Sequence, residues 1–402
     1  MTDTGREAAE PADAGIRAYL HRRPMVTAVV YTVIGVLPLY LVSAQAPRLQ
    51  AELGFGRSAF GVAVASFYLV SSVASRRLGP MIDGFGAGRG LRMGAAVCAV
   101  SSIGIGLLGG HWTILALFLG VAGLGNAFAQ LASNVAVADA VRSSRQGLGF
   151  GLKQAAVPTG ALLAGLAVPL VGLDASWRIL FIAAAVLQVV AIWAAPRFEP
   201  RRRLGRPRRA PLRGPLLMLA VTGAIAGGVG NSVASFIVDA GVTAGFDQVQ
   251  AARLLTLGSL MAIGMRILVG WTADRRGRDG RSELVAVLVL GVLGTSVLAA
   301  AQSSPGWFVV GVVLAFAGAW GWPGVIYFAV IRATGYPAAA ATGSVLAGVY
   351  LGTVVLPPIV GVVAEHGSYA LIFAILAGLM AIAAVAVIVA NRRVAGIEAP
   401  AR

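Results

Sequence analysis

Twelve stretches of mainly apolar residues run along the chain. They lie near 25–46, 58–78, 91–110, 112–135, 148–171, 177–195, 215–239, 252–272, 283–302, 307–331, 340–363 and 369–390. Charges or Pro/Gly clusters bound each run. A helix that crosses a bilayer needs about 20 such residues, because its backbone polar groups must be satisfied within the segment. The pattern therefore predicts an all-α membrane protein with twelve crossings. Residues 1–24 are polar and contain Asp3, Glu7, Glu10 and Asp13, unlike the basic-then-apolar start of a cleavable signal peptide. They read as an N-terminal tail, and residues 391–402 as a C-terminal one.

Composition agrees with a membrane location. Of the 402 residues, 58% are hydrophobic and 12% charged, against about 25% charged in soluble domains. The net charge of +16 would suggest nucleic acid on a soluble protein. Its distribution argues otherwise. With the N-terminus placed in the cytoplasm and the crossings alternated, only Arg48, Arg57, Arg178 and Arg253 fall outside, leaving 28 of the 32 Lys and Arg inside. This positive-inside bias predicts both termini in the cytoplasm, and the Ala, Gly and Arg bias suggests a GC-rich bacterial source, hence a bacterial inner (plasma) membrane. It leaves no basic surface that asks for nucleic acid.

The inventory of reactive groups is thin. Cys98 is the only cysteine and lies in an apolar run, so no intrachain disulfide or cysteine metal site can form. Lys153 is the only lysine and is followed by Gln154, so no Walker A loop exists. HExxH, a GxSxG elbow and paired catalytic carboxylates are absent from the sequence. No enzyme, cofactor or metal is expected.

The two halves of the chain resemble each other across a polar interruption, Pro196–Gly214, that carries eight arginines. Gly79 and Asp83 reappear as Gly270 and Asp274, 191 positions on. Gly151, Gly160, Trp177 and Phe181 match Gly343, Gly352, Tyr369 and Phe373, each 192 positions on. An even number of crossings per copy gives both copies the same orientation, the parallel-repeat arrangement. The expected organisation is a six-helix bundle over 25–195, a basic linker over 196–214 and a second bundle over 215–390.

Gly270-Trp-Thr-Ala-Asp274-Arg275-Arg276-Gly277-Arg278 resembles the GxLaDrxGrr loop of the major facilitator superfamily (MFS). The first-half copy, with Gly79, Asp83 and Arg89, keeps the Gly and Asp but lacks the basic residue after Asp83. The resemblance covers about residues 20–395. It implies a secondary transporter that alternates access by rocking one bundle against the other, with these loops latching the cytoplasmic side. The stretch from Arg145 through Lys153-Gln154 to Pro158 is similar to the fifth helix of bacterial facilitators that carry a Lys-Gln pair before a proline.

Candidate solute contacts follow from polar residues inside apolar runs. A charge there is costly and usually faces the bundle interior. Lys153 lies about five residues into its helix and either meets an anion or snorkels to the interface. Arg266, eight residues before Asp274, is deeper and needs a partner, either a transported anion, helix-end carbonyls or a structural bridge. Gln154 adjoins Lys153. In the resembled fold the first, fourth, seventh and tenth helices line the cavity. They offer Tyr40 and Gln45, then Asn126, Gln130 and Asn134 at a spacing of four, then Asn231, and finally Trp320, Trp322 and Tyr327. Pro158, Pro323, Pro357 and Pro358 mark expected bends. Carboxylates are scarce. Asp239 near the outer end of the seventh helix is the best candidate for coupling, Asp139 ends the fourth, and Glu365 falls in the loop after the eleventh.

The expectation is transport of a small organic anion such as a carboxylate. The alternative is proton-coupled efflux of a drug-like compound or metabolite. The expected partners are the solute and the bilayer, with protons as a candidate coupling ion, and the expected state is a monomer.

Overall fold

The structure is a computed structural model that describes residues 10–138, 146–172, 174–195, 214–276, 280–333 and 338–398. In chain order the helices are α1 (Glu10–Ala44), α2 (Ala46–Leu53), α3 (Arg57–Phe85), α4 (Ala87–Leu108), α5 (Trp112–Ala138), α6 (Gln146–Val171) and α7 (Arg178–Ala194). Then follow α8 (Gly214–Thr243), α9 (Gln248–Arg276), α10 (Arg281–Ala300), α11 (Pro305–Ala319), α12 (Pro323–Ala333), α13 (Ala338–His366) and α14 (Tyr369–Glu398). Among the described residues there is no strand.

Eleven segments are long and apolar enough to cross a membrane, and Arg178–Ala194 is a shorter apolar helix. Together they occupy the twelve predicted runs. Leu170 and Trp193 are among many large apolar side chains left exposed on the outside of the bundle. In water so large an apolar surface would drive association, and in a bilayer it meets lipid chains.

The structure differs from the sequence expectation in several places. Helix α1 begins at Glu10 and α14 runs to Glu398, so much of each predicted tail is helical. Helix α2 lies in what read as a loop. Its sequence has Pro47 in the first turn and Gly54 (φ 65°) at its end, where the Gly54 N–H donates to the Gln50 carbonyl at 3.0 Å. Only glycine adopts that left-handed conformation without strain. The tenth run, predicted as one helix, breaks at Trp320–Trp322 into α11 and α12. Pro323 has no N–H to give the Ala319 carbonyl. The Trp322 indole Nε1 supplies the missing donor, 3.0 Å away.

The helix packing repeats from one half to the other. Helix α1 packs on α5 and α6 as α8 packs on α11 and α13; α4 packs on α5 and α7 as α10 packs on α11 and α14. Two long contacts join the halves, α6 against α9 and α3 against α13. Both rest on small residues that let backbones meet. A Cβ on Gly165 would lie 2.8 Å from the Ala252 carbonyl oxygen, and one on Gly61 would strike the Pro357 carbonyl. Position 61 plus 191 is 252 and position 165 plus 192 is 357, so these are the same contact in the two repeats. A carboxylate from the second half also caps each first-half helix. The Asp274 carboxylate accepts the Leu148 N–H at the start of α6 at 2.8 Å. Glu365 accepts the Ser58 N–H at the start of α3 at 2.8 Å. The acid thus meets exposed N–H groups and the positive end of the helix dipole. Glu365 belongs to the last turn of α13, not to a loop as the sequence suggested.

Gly165→Val should destabilise the protein by about 1–3 kcal/mol through overpacking against rigid backbone. Gly264, beside which a Cβ would meet open space, should tolerate Ala with no loss, because removing glycine from a helix gains roughly 0.5–1 kcal/mol. Thermal unfolding of the detergent-purified variants checks both.

Candidate functional site at the junction of the halves

Two prolines and one arginine organise the centre of the molecule. Pro158 lies inside α6 and has no N–H for the carbonyl four residues back, which is that of Gln154. Trp320 follows the end of α11, where carbonyls lack helical partners. Arg266 of α9 takes both. Its Nε and Nη2 donate to the Trp320 carbonyl at 2.9 and 2.7 Å, and its Nη1 donates to the Gln154 carbonyl. The guanidinium also lies over the Trp320 ring, 5.2 Å from its centroid. Arg266 is 2% exposed. One helix-end carbonyl, that of Trp320, and one carbonyl freed inside α6, that of Gln154, hold this charge.

Lys153 sits one residue from Gln154 and is 4% exposed. It does not snorkel. Its Nζ donates to Gln130 Oε1 of α5 at 2.5 Å and to Gln154 Oε1 at 3.3 Å. Gln154 therefore touches both cations, Lys153 through its side chain and Arg266 through its carbonyl. The α6 backbone here is close to the other half: a Cβ on Gly151 would lie 2.5 Å from the Arg266 carbonyl and 3.8 Å from Gly270 Cα.

A second polar group borders the first. Asn231 of α8 accepts at Oδ1 from the Tyr68 hydroxyl at 2.6 Å and the Tyr40 hydroxyl at 3.4 Å, and its Nδ2 donates to the Gly227 carbonyl at 2.9 Å. The Tyr40 ring stands edge-on to Trp320 at 5.6 Å between centroids. On α5, Asn126 Nδ2 donates to Ser71 Oγ at 2.9 Å. Its Oδ1 is buried with no hydrogen-bond partner among the described residues.

The structure brings Lys153, Gln154, Gln130, Arg266, Asn126 and Asn231 into this region. Asn134, the third residue of the expected polar face of α5, is exposed. The helix turns about 100° per residue, and after eight residues the face has drifted by roughly 80°. The Tyr327 side chain lies outside the described residues. Tyr68 and Ser71 were missed because they belong to the second helix, which was not counted as lining. The signal for Arg266 was available: Pro158 stands four residues after Gln154.

At the arginine-rich end, Asp274 is partly buried and caps α6, Arg275 stacks over Trp271 at 4.5 Å, and Arg276 pairs with Glu283 at 3.0 Å. Gly270 is buried. In the first-half copy Gly79 has open space around it and Arg89 is exposed. Gly277 and Arg278, the Asp83 side chain, and Asp139 lie outside the described residues.

At the opposite end, Asp239 of α8 accepts from Arg57 Nε of α3 at 2.6 Å, from Gln50 Nε2 at 3.3 Å and from the Tyr369 hydroxyl. Arg57 lies 5.4 Å from the Tyr369 ring centroid. The first half repeats the theme, with Trp177 Nε1 donating to Glu52 at 2.6 Å and Arg178 over the Trp177 ring at 4.3 Å. Asp239 thus ties α3, α8 and α14 together across the junction.

The sequence model of the Major Facilitator Superfamily matches residues 25–282, more than half of the chain. The chain belongs to the major facilitator superfamily. Its structure is similar to that of the MFS proton:xylose symporter XylE bound to 6-bromo-6-deoxy-D-glucose, with a TM-score of 0.70, 15% identity and coverage of 92% of this chain and 95% of that one. It is also similar to a bacterial homologue of the human lysosomal transporter Spinster in an inward-facing and occupied conformation, with a TM-score of 0.69, 15% identity and coverage of 94% and 97%. No curated protein sequence matches the chain. At 15% identity the two structures establish the fold. Together with the family match they make this MFS protein a multi-pass membrane transporter by fold and family.

The Arg57–Asp239 pair should couple energetically. Because Arg57 is about a third exposed, the pair falls between exposed and buried ion pairs in worth. Arg57→Gln and Asp239→Asn should each lower the unfolding temperature. The double variant should lose clearly less than the sum, with an interaction energy of roughly 0.5–3 kcal/mol. Additivity across the cycle would show that the pair contributes nothing.

Proposed function

We propose that this MFS protein carries a small organic anion, carboxylate-like in chemistry, between the two faces of a bacterial inner membrane. The supporting observation is the burial of Lys153 against neutral partners. Among the described residues the buried charged side chains are Lys153, Arg266, Asp239 and Glu283. Both acids already pair, Asp239 with Arg57 and Glu283 with Arg276. Lys153 has amide oxygens of Gln130 and Gln154 instead. A buried ammonium held by dipoles next to a buried guanidinium makes a region of positive potential. An incoming anion is the group that gains most from it.

The bundles 25–195 and 215–390 rock about the α6–α9 and α3–α13 contacts in this reading, as parallel-repeat transporters do. The arginine-rich end faces the cytoplasm. The loop of Gly270, Asp274, Arg275, Gly277 and Arg278 latches that side through the Asp274 cap on α6. The copy with Gly79, Asp83 and Arg89 contributes less. Working unit and solute-binding unit are the monomer. A second reading, proton-driven export of a drug-like compound, draws on Asp239, a carboxylate placed between the halves. It expects extrusion that follows a pH gradient and is abolished by Asp239→Asn.

Uptake of a panel of labelled carboxylates into proteoliposomes tests the anion site. Lys153→Gln keeps a hydrogen-bonding side chain and removes the charge. It should reduce uptake at low substrate roughly 10- to 100-fold, the range for losing a charge-assisted hydrogen bond worth about 1.5–3 kcal/mol. Arg266→Gln should reduce uptake at least as much and also lower the unfolding temperature, since it strips two orphan carbonyls of their donor. Wild-type uptake by both variants would reject the anion site.

A further inference from the structure

The hydrogen-bond inventory of the Tyr40–Tyr68–Asn231 group says more about the solute than its charge. A phenol has one proton to donate and lone pairs to accept with. The Tyr68 proton goes to Asn231 Oδ1 at 2.6 Å, and the Tyr40 hydroxyl points to the same oxygen at 3.4 Å. Asn231 is held in turn by its Nδ2–Gly227 bond, which fixes which end of the amide faces the phenols. Both phenol protons are therefore spent inside the group. What remains for a solute is acceptor capacity on the two phenol oxygens. One turn further along α3, Ser71 is engaged by Asn126, whose buried Oδ1 is a further acceptor without a partner among the described residues.

These acceptors lie beside donors of the opposite character. Trp320 is shared, with the Tyr40 ring 5.6 Å from its centroid and the Arg266 guanidinium 5.2 Å from it. The region thus places the Arg266 cation and the Tyr40 acceptor against the same Trp320 ring. Resting on the anion reading above, we infer that the solute is a hydroxy-carboxylate. Its carboxylate meets Lys153 and Arg266, and its hydroxyl donates to the phenol oxygens of Tyr68 and Tyr40. Tyr68, which Asn231 orients, is the residue that reads the hydroxyl. An ammonium group would also donate, but it would bring a third positive charge beside Lys153 and Arg266, so an amino acid is disfavoured. A plain carboxylate would strip water from the phenol oxygens and give nothing back.

Matched probes test the inference in proteoliposomes: propanoate, 2-hydroxypropanoate and alanine, and a six-carbon pair, hexanoate and gluconate. Wild-type protein should take up the hydroxy acid of a pair with a KM about tenfold below that of its deoxy partner, and should exclude alanine. Tyr68→Phe keeps the ring and removes the oxygen. It should bring the ratio of the two KM values to near one by raising that of the hydroxy acid, with the deoxy acid unchanged. Tyr40→Phe, which should act in the same direction, provides the reading if Tyr68→Phe does not fold, as judged by its elution and unfolding temperature. Uptake of the acids with the same hydroxy-to-deoxy ratio in wild type and both variants would overturn the role of Tyr68 and leave the anion site standing. Preferential uptake of alanine would overturn the hydroxyl assignment. Failure of wild type to move any of these acids, or a dependence on neither Lys153 nor Arg266, would overturn the anion site and this inference with it.

Discussion

A guanidinium inside a helical bundle must give its N–H groups to acceptors, and every helical carbonyl is normally occupied. The structure resolves this for Arg266 by making two carbonyls available. Pro158 frees the Gln154 carbonyl within α6, and the break before Pro323 frees that of Trp320 at the end of α11. Three segments from the two halves are thereby fixed around one side chain. Lys153 and Gln154 are presented by the same stretch of α6, and Tyr40 leans on the same Trp320. The polar centre is organised by defects in helices that would otherwise have no backbone groups to spare.

The surrounding frame follows from close backbone approach. In a bilayer, apolar side chains gain little by leaving lipid for one another, so helices associate through packing and polar contacts. Gly61, Gly151 and Gly165 supply the packing at the junction of the halves. Glu365 and Asp274 supply the polar contacts, each capping a first-half helix from the second half, one at either end of the molecule. These caps sit at the rim, where a carboxylate exchanges a helix N-terminus for water at small cost.

Much of this was legible in the sequence because it depends on composition and period. Apolar runs of bilayer length give the twelve crossings, and the 191–192 offset gives the repeat that reappears as Gly61 on Pro357 and Ala252 on Gly165. Lys153 and Arg266 stood out because charge is rare within such runs. Some features were harder to see. Asn134 shares a spacing with Asn126 and Gln130 but is exposed where they are not, a difference that spacing alone does not carry. Tyr68 carries no local mark that separates it from a packing tyrosine. Glu365 read as a loop residue because the end of an apolar run is not the end of a helix.

The sequence by itself determined the membrane, the number of crossings, the doubled six-helix architecture and the two cations within it. Hydrophobic length, charge bias and internal repetition are properties of position along the chain. Only the tertiary structure decided what those cations meet, that Asp239 is held by Arg57 and Tyr369, and that Asn231 takes the protons of two tyrosines. Several of these pairings join residues far apart in the chain, up to 191 positions for Tyr40 and Asn231, and a hydrogen bond exists only where folding brings donor and acceptor to about 3 Å with the right alignment.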